Sequence, residues 1–544
     1  MTKPNKKVLL IVSILFGLSC LAGDYIDNDI RTMPTLCALT LINIAAFFST
    51  VLIVRAFFEY GDRIHVNSKY MDRSYHFFDR YAWFKVSFIL FLFGMFFATA
   101  KYPGVVSGGT QFMIQQAMGM DTKARQLSPV IYEGHYVTGH HPVLLTFFLG
   151  AFIKIGCRLG HPNWGMYLAA CAFTFLNALG WGYVIAYFRN YIKPYIWSAA
   201  ALWYFFNPMI GSFNSYVIKD NLFATSLAVY CCILHEYMGH RGKNSFKKLL
   251  ICSLILPFVK NQGIYIVIIA SLMLIIVSRE KIAEKLTCAV VPILVFHVLF
   301  EGLLMPMCKI APGGSQEMFS IFFQSTAGTI VEHPEVKESE EYKIIHKVLP
   351  IDDWTVYNPE VSDAIKFKYN QNITKEEFLE YLIVWLKMAT KYPTSYLRAI
   401  MHQTYGYYCI DRFTRDWIFP GYDLKISDSG RKISGPVFAR LHKAIGNFLG
   451  GCTKKKRFQY FFSVPSAFWI IVVSLLLFKG RIARAVWLSP LLLQWLICLV
   501  SPVNAGGRYG FVIYAMVPVI LGVINRYNSN VRAASKELIT DSDM

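Results

Sequence analysis

The chain has 544 residues, 55% of them hydrophobic and only 16% charged, too little polar surface to keep a soluble protein of this length dispersed. Its net charge of +20 does not point to nucleic acid, because the basic residues sit in short clusters beside apolar blocks, as positive-inside topology signals do. Twelve cysteines lie mostly inside those blocks, as at Cys171, Cys231, Cys232 and Cys288, without metal-ligand spacing. They are read as small apolar residues rather than a disulfide framework.

In chain order, Lys3, Lys6 and Lys7 precede the first apolar block, and no small-residue cleavage site follows it, so a retained anchor is expected. Hydropathy predicts membrane-spanning helices near 8–24, 33–56, 83–100, 165–188, 194–213, 221–238, 248–261, 263–279, 285–306, 458–478, 484–501 and 508–525. The basic stretches Arg189–Lys193, His240–Lys248, Arg279–Lys285, Lys479–Arg484 and the tail from Arg526 then share one side with the N-terminus. This side is expected to be the cytoplasm. The other side takes Asp24, Asp27 and Asp29, the 101–164 loop, Asn214–Asp220, Lys260–Gln262, the 307–457 segment and Asn504–Arg508. Lys454–Arg457 also fall there, against the rule, which weakens beside long translocated domains.

This parity holds only if the apolar block 141–155 does not span. It is expected to lie at the outer interface or against the bundle, with Pro142 in its first turn. The expected fold is therefore an all-α integral membrane protein with about a dozen spans. Its N-terminal membrane module covers 1–306, an extracytoplasmic domain 307–457, C-terminal membrane helices 458–525 and a cytoplasmic tail 526–544. The 307–457 domain has ordinary soluble composition. It includes an amphipathic run from Lys375 to Tyr392, ended by Pro393, and helix with some irregular structure is predicted there.

Four polar constellations mark the expected outer ends of the helices, where charge near lipid calls for a partner, a wet cavity or a substrate. The first is the loop 101–142, with Ser107-Gly-Gly-Thr110, Gln111, Gln115, Asp121, Glu133 and His140-His141-Pro142. Its plain alternative is a polar loop capping a helix through Ser107 or Thr110. The second is Asn207-Pro208 with Asn214, Lys219 and Asp220, where an N-cap aspartate is the alternative. The third, Lys260-Asn261-Gln262-Gly263, forms a tight hairpin turn whose lysine could instead snorkel to the interface. The fourth is the turn Asn504-Ala-Gly-Gly-Arg508-Tyr509, where Arg508 offers a donor fork suited to phosphate. No Walker A motif, GxSxG motif or zinc-ligand pattern is present.

An ordered set of these pieces resembles a group of bacterial multi-spanning proteins. It comprises Tyr102-Pro-Gly with Ser107, His140-His141-Pro142, Asn207-Pro208, Lys219-Asp220-Asn-Leu-Phe-Ala and Lys260-Asn-Gln-Gly-Ile-Tyr. In the outer domain it continues with Phe323-Gln-Ser-Thr-Ala, Tyr357-Asn-Pro-Glu-Val-Ser-Asp363-Ala-Ile-Lys, Lys391-Tyr-Pro-Thr-Ser-Tyr and Thr404-Tyr-Gly-Tyr-Tyr. The group looks like a branch of the GT-C membrane glycosyltransferases, which include the protein mannosyltransferases and the lipid A aminoarabinose transferase. The resemblance runs from about residue 80 to 520. It implies a helical bundle with interfacial helices in an acidic first outer loop, and transfer of a sugar from a polyprenyl phosphate to a cell-envelope acceptor.

Carried over by position, Asp220 matches the acidic residue of the second outer loop. Lys219, Lys260 and Arg508 become phosphate partners, with Asn261 and Tyr509 beside them, and His140 and His141 line the donor site. Two departures stand out. Relatives usually carry an aspartate where this chain reads Ser107-Gly108-Gly109-Thr110, and a basic residue where it has Gly328. Either Asp121 or Glu133 takes over the acidic role, or the protein is a weak or inactive member. The implied reaction is inverting transfer, with a carboxylate as general base and cations on the departing lipid phosphate. A divalent cation is compatible with these roles, though no ligand spacing specifies one. The expected partners are a polyprenyl-phosphate-linked sugar, a glycan or lipid acceptor and membrane lipids, in a multi-pass plasma-membrane protein with both termini cytoplasmic. A transporter or lipid flippase, and a catalytically inactive assembly protein, are the alternatives.

Overall fold

A computed structural model describes residues 6–28, 33–60, 73, 75–239, 242, 244–410, 421–454 and 460–542. Lys3, Asp29, His240, Arg241, Lys243 and Lys455-Lys456-Arg457 lie outside the described residues.

The described chain is mostly helical, and helices occupy every segment where apolar blocks predict them. Six are long and apolar enough to cross a membrane: Thr40–Tyr60, Ala82–Ala100, Pro162–Tyr191, Ile282–Met307, Ile482–Leu499 and Gly507–Val531. The Ala82–Ala100 helix shows why lipid is its solvent. Phe84, Phe88, Leu92 and Phe96 recur every fourth residue and are all exposed, while Val86, Leu90, Gly94 and Phe97 are buried on the other face. A continuous apolar stripe left outside a finished core, on a helix long and apolar enough to cross a membrane, suits hydrocarbon as its surroundings. Behind it, Trp181, Tyr204, Phe213, Tyr230 and Phe511 form part of the bundle core.

The expected span 194–213 is broken. Pro194–Phe206 ends at Asn207, whose side chain accepts from the Met209 and Ile210 amides and opens the short helix Pro208–Asn214. Pro208 lacks the amide that would continue the first helix. Asn207 also donates to the Tyr514 hydroxyl at 2.7 Å, so the break is tied to the Gly507–Ser542 helix.

The block at 141–155 forms the helix Val143–Arg158, whose 16 residues reach about 24 Å, short of the roughly 30 Å of a perpendicular crossing. It packs against Pro162–Phe188 with almost no separation. A Cβ on Gly165 would lie 2.2 Å from the Phe152 carbonyl oxygen, and one on Gly156 would lie 2.2 Å from the Gly165 nitrogen. Gly165→Ala should therefore overpack this contact and cost about 1–3 kcal/mol. A lowered thermal midpoint in detergent would show it, and an unchanged midpoint would contradict the close approach.

The connections gather at two ends of the bundle. At one end, β-bridges join Val106 to Val217, Thr138 to Ala311 and Val361 to Val503. There Asn261 donates to the Gly139 carbonyl at 3.1 Å, and the Gly406 amide donates to Asn504 at 2.8 Å. At the other end, Arg189 bonds Asp79, Tyr237 donates to Glu284 at 3.0 Å, the Lys479 amide donates to Asn528, and His235 packs on Trp487.

The 307–457 segment holds a helical core around Phe323, Ile345, Trp354 and Tyr381. The amphipathic run is the helix Lys375–Lys391, opened by a Thr374–Glu377 capping box. The segment also contains an antiparallel hairpin, Tyr422–Lys425 with Lys432–Gly435, which the helical reading of the sequence did not anticipate. Its Leu424 and Ile433 are cross-strand partners and both buried. They join Met113, Ile114 and Leu149 of the first loop in one apolar cluster. The hairpin thus braces the loop that carries the glycine pair.

Candidate functional site

The end of the bundle where those bridges meet collects most of the polar residues singled out by sequence. Val217 is held against the first loop, its amide donating to the Val105 carbonyl at 2.8 Å. This fixes the start of the helix Lys219–Met238, with Asp220 in its first turn. Lys260 ends the helix Ser245–Val259, and the chain reverses in three residues into Gly263–Val277. Only glycine fits at 263, because a Cβ there would lie 2.6 Å from the Leu256 carbonyl oxygen.

This turn brings Lys260 Nζ to 2.7 Å from Asp220 Oδ1, with both side chains buried. The same ammonium lies 4.8 Å from the centre of the Tyr509 ring. Arg508 stands in the first turn of the Gly507–Ser542 helix, and its Nη2 donates to the Tyr509 hydroxyl at 2.9 Å. On the other side of Asp220, Lys219 Nζ donates to His141 Nδ1 at 2.9 Å. The His141 ring touches that of His140, with centres 4.6 Å apart. His140 Nε2 then lies 3.8 Å from Glu317 Oε1, and Lys366 holds Glu317 Oε2 at 2.7 Å and Asp363 Oδ1 at 2.8 Å. A continuous file of charged and imidazole groups runs from Tyr509 to Asp363.

Asp220, Lys219, Lys260, Asn261, His140, His141, Arg508 and Tyr509 thus belong to one site. Asp121 and Glu133 are not drawn into it. Asp121 accepts from Arg125, Gln126 and the Thr122 amide and is half-exposed, and Glu133 is exposed. Glu317 and Lys366, neither of them among the candidate residues that the sequence marks, are in it instead. Lys366 ends the Tyr357–Lys366 stretch of the resemblance, while Glu317 had no signal beyond its place after Gly313-Gly314. Among the described residues no group of three His, Cys, Asp or Glu side chains is arranged to hold a metal ion.

The electrostatics follow from burial and neighbours. Burial drives the His140 imidazole down to about 4, with Glu317 opposing and Lys219 assisting, so it is neutral at physiological pH. His141, more deeply buried and beside Lys219, is held well below its ordinary range as well. Burial pushes the Glu317 carboxyl up, but Lys366 and His140 outweigh it and leave it below its ordinary range. Burial pushes Lys366 down, and its two carboxylates more than restore it.

His140 makes a pH prediction. Its folded value lies below its unfolded value, so the unfolded chain takes up the proton first and stability falls as pH drops from about 6.5 toward 4. The interval is worth on the order of 3 kcal/mol. His140→Gln should flatten the acid side of the thermal-midpoint profile. An identical slope in the variant would assign the effect to other groups.

A membrane-embedded helical bundle carrying a file of charged and imidazole groups, buried over most of its length, at one end is the class that fold and site define. Residues 127–538, most of the chain, match a family model described as a family of unknown function, DUF6020, and the chain belongs to that family. The matched region includes every member of the file and leaves out Gly109 and Asp121. No curated protein and no solved structure matches the chain.

Proposed function

We propose that the protein is a GT-C-type membrane glycosyltransferase that moves a sugar from a polyprenyl phosphate to a cell-envelope acceptor. In this reading the chain crosses the plasma membrane about a dozen times, both termini are cytoplasmic, and the Asp220 end faces outward. The observation that carries it is the convergence of Asp220, Lys260, Lys219, Arg508 and Glu317 at one end of the bundle. One buried and one partly exposed carboxylate beside surplus cations suit transfer away from a lipid phosphate. A transporter would instead concentrate its charges near mid-bilayer.

In the reaction an acceptor hydroxyl attacks the anomeric carbon and loses its proton to a carboxylate. The bond from that carbon to the phosphate oxygen breaks, and the phosphate leaves with the electron pair. Glu317 suits the base. Its side chain is 34% exposed, Lys366 engages Oε2, and Oε1 faces only the neutral His140 ring at 3.8 Å, so a hydroxyl can still approach it. Lys219 and Arg508 suit the departing phosphate, with the Asp220–Lys260 pair positioning both.

The test is mass spectrometry of cell-envelope glycans from a deletion strain, complemented with wild type or variants. A glycan or glycolipid should disappear on deletion and return with wild type. An unchanged glycan profile would count against transfer and favour the inactive or transport readings.

A further inference from the structure

The first loop holds an arrangement of hydrogen-bond donors without acceptors. Ser107 caps the ten-residue helix Gly108–Ala117, accepting from the Thr110 amide with its side chain and from the Gln111 amide with its carbonyl. The amides of Gly108 and Gly109 belong to the first turn, where no intrahelical acceptor exists, and the helix dipole adds partial positive charge there. A Cβ on Gly108 would meet nothing within 4 Å, so the turn is open on that side.

The group facing it is His141. An ideal Cβ on Gly109 would lie 3.2 Å from His141 Cε1 and 3.4 Å from Nε2. The imidazole is 6% exposed, and Nε2 has no hydrogen-bond partner. Its tautomer follows from its other nitrogen. Lys219 donates to Nδ1, so in the neutral ring Nε2 carries the hydrogen. A buried N–H without an acceptor is costly and therefore marks a place where an acceptor belongs. Lys219, Lys366 and Arg508 all lie close enough to act on this ring electrostatically.

We propose that the Gly108-Gly109 turn and the His141 Nε2–H form one seat for a phosphate oxyanion. The two amides and the imidazole N–H facing the space donate, the Ser107 hydroxyl beside them can donate as well, and the charged side chains acting on His141 are cations, so a multiply accepting anion satisfies the site better than a cation does. The absent side chain at 109 is what keeps the seat open. The proposal deepens the transferase reading and rests on it only for the carrier of the phosphate, a polyprenyl headgroup rather than the free ion.

The experiment uses the full chain in nanodiscs and reads the thermal midpoint in chloride buffer, with inorganic phosphate, and with polyprenyl monophosphate in the bilayer. Wild type should gain several degrees with at least one phosphate. A shift from the lipid alone assigns the headgroup, and a shift from inorganic phosphate alone assigns the free ion. Gly109→Asp should remove the shift while its ligand-free midpoint stays at or above that of wild type, because the carboxylate occupies the seat once the imidazole yields by a few tenths of an ångström. His141→Ala should weaken phosphate binding about tenfold or more, the loss of one charge-assisted donor. No shift in wild type with either probe, or a full shift in Gly109→Asp, overturns the seat. A shift with an unchanged glycan profile keeps the seat and removes the transferase reading. A lost glycan without any shift does the reverse.

Discussion

Asp220→Asn is expected to destabilise the protein by about 3–5 kcal/mol, because it strands the buried Lys260, and Lys260→Ala by less, because Lys219 and Arg508 still act on Asp220; both are expected to abolish glycan transfer. The pair spans two helices at 2.7 Å with both side chains largely buried. Removing the carboxylate also leaves Lys219 and Arg508 acting on an empty position. A loss of glycan in either single variant is therefore ambiguous on its own. The double variant Asp220→Asn/Lys260→Gln resolves it. Two neutral side chains of similar size can hydrogen-bond to each other, so most of the lost stability should return. Transfer should not return, because the charges are gone. Protein level and midpoint in detergent give the first readout, and envelope-glycan mass spectrometry of complemented deletion cells gives the second. Restored transfer in the double variant would reduce the pair to a structural element. Full activity in either single variant would exclude both residues from the mechanism.

The membrane helices were legible because a spanning helix writes its signal locally. Each needs an unbroken apolar run, and the runs at 83–100, 165–188 and 285–306 reappear as Ala82–Ala100, Pro162–Tyr191 and Ile282–Met307. Asp220, Lys219, Lys260 and Arg508 were legible for the complementary reason, since charge at the end of an apolar block is expensive without a partner. Glu317 was not. It lies in a polar segment where one more acid carries no penalty, and its place is set by a long-range pairing, the bridge from Thr138 to Ala311. Asp121 misled for a reason the sequence does contain. Arg125 stands four residues on and claims its carboxylate, as i,i+4 spacing allows. The break at Asn207-Pro208 is visible in the sequence as a polar residue followed by a proline. Its first consequence is to end a helix. The hairpin escaped because its strands run four residues each, too short for alternation to stand out against irregular structure.

Glu317→Gln is expected to lower transfer by about 100- to 10,000-fold, the usual weight of a general base, with little loss of folding. Glutamine keeps a carbonyl that can accept from Lys366, and Lys366 keeps its second carboxylate, Asp363, at 2.8 Å, so no buried cation is stranded. Asp121→Asn and Glu133→Gln are the controls. Asp121 forfeits only a half-exposed pairing with Arg125, worth under about 1 kcal/mol, and Glu133 is exposed on the surface of the first loop. Both should transfer at close to the wild-type rate. Single-turnover transfer by purified variants separates the step that moves the proton from donor binding, which the phosphate-dependent midpoint reports independently. Glu317→Gln should bind phosphate as wild type does, because its loss falls on proton removal and not on the cations. If Asp121→Asn or Glu133→Gln loses transfer while Glu317→Gln keeps it, the base lies in the first loop. The acidic role would then have stayed on that loop despite the glycines at 108 and 109, and Glu317 would serve only to hold Lys366 in place.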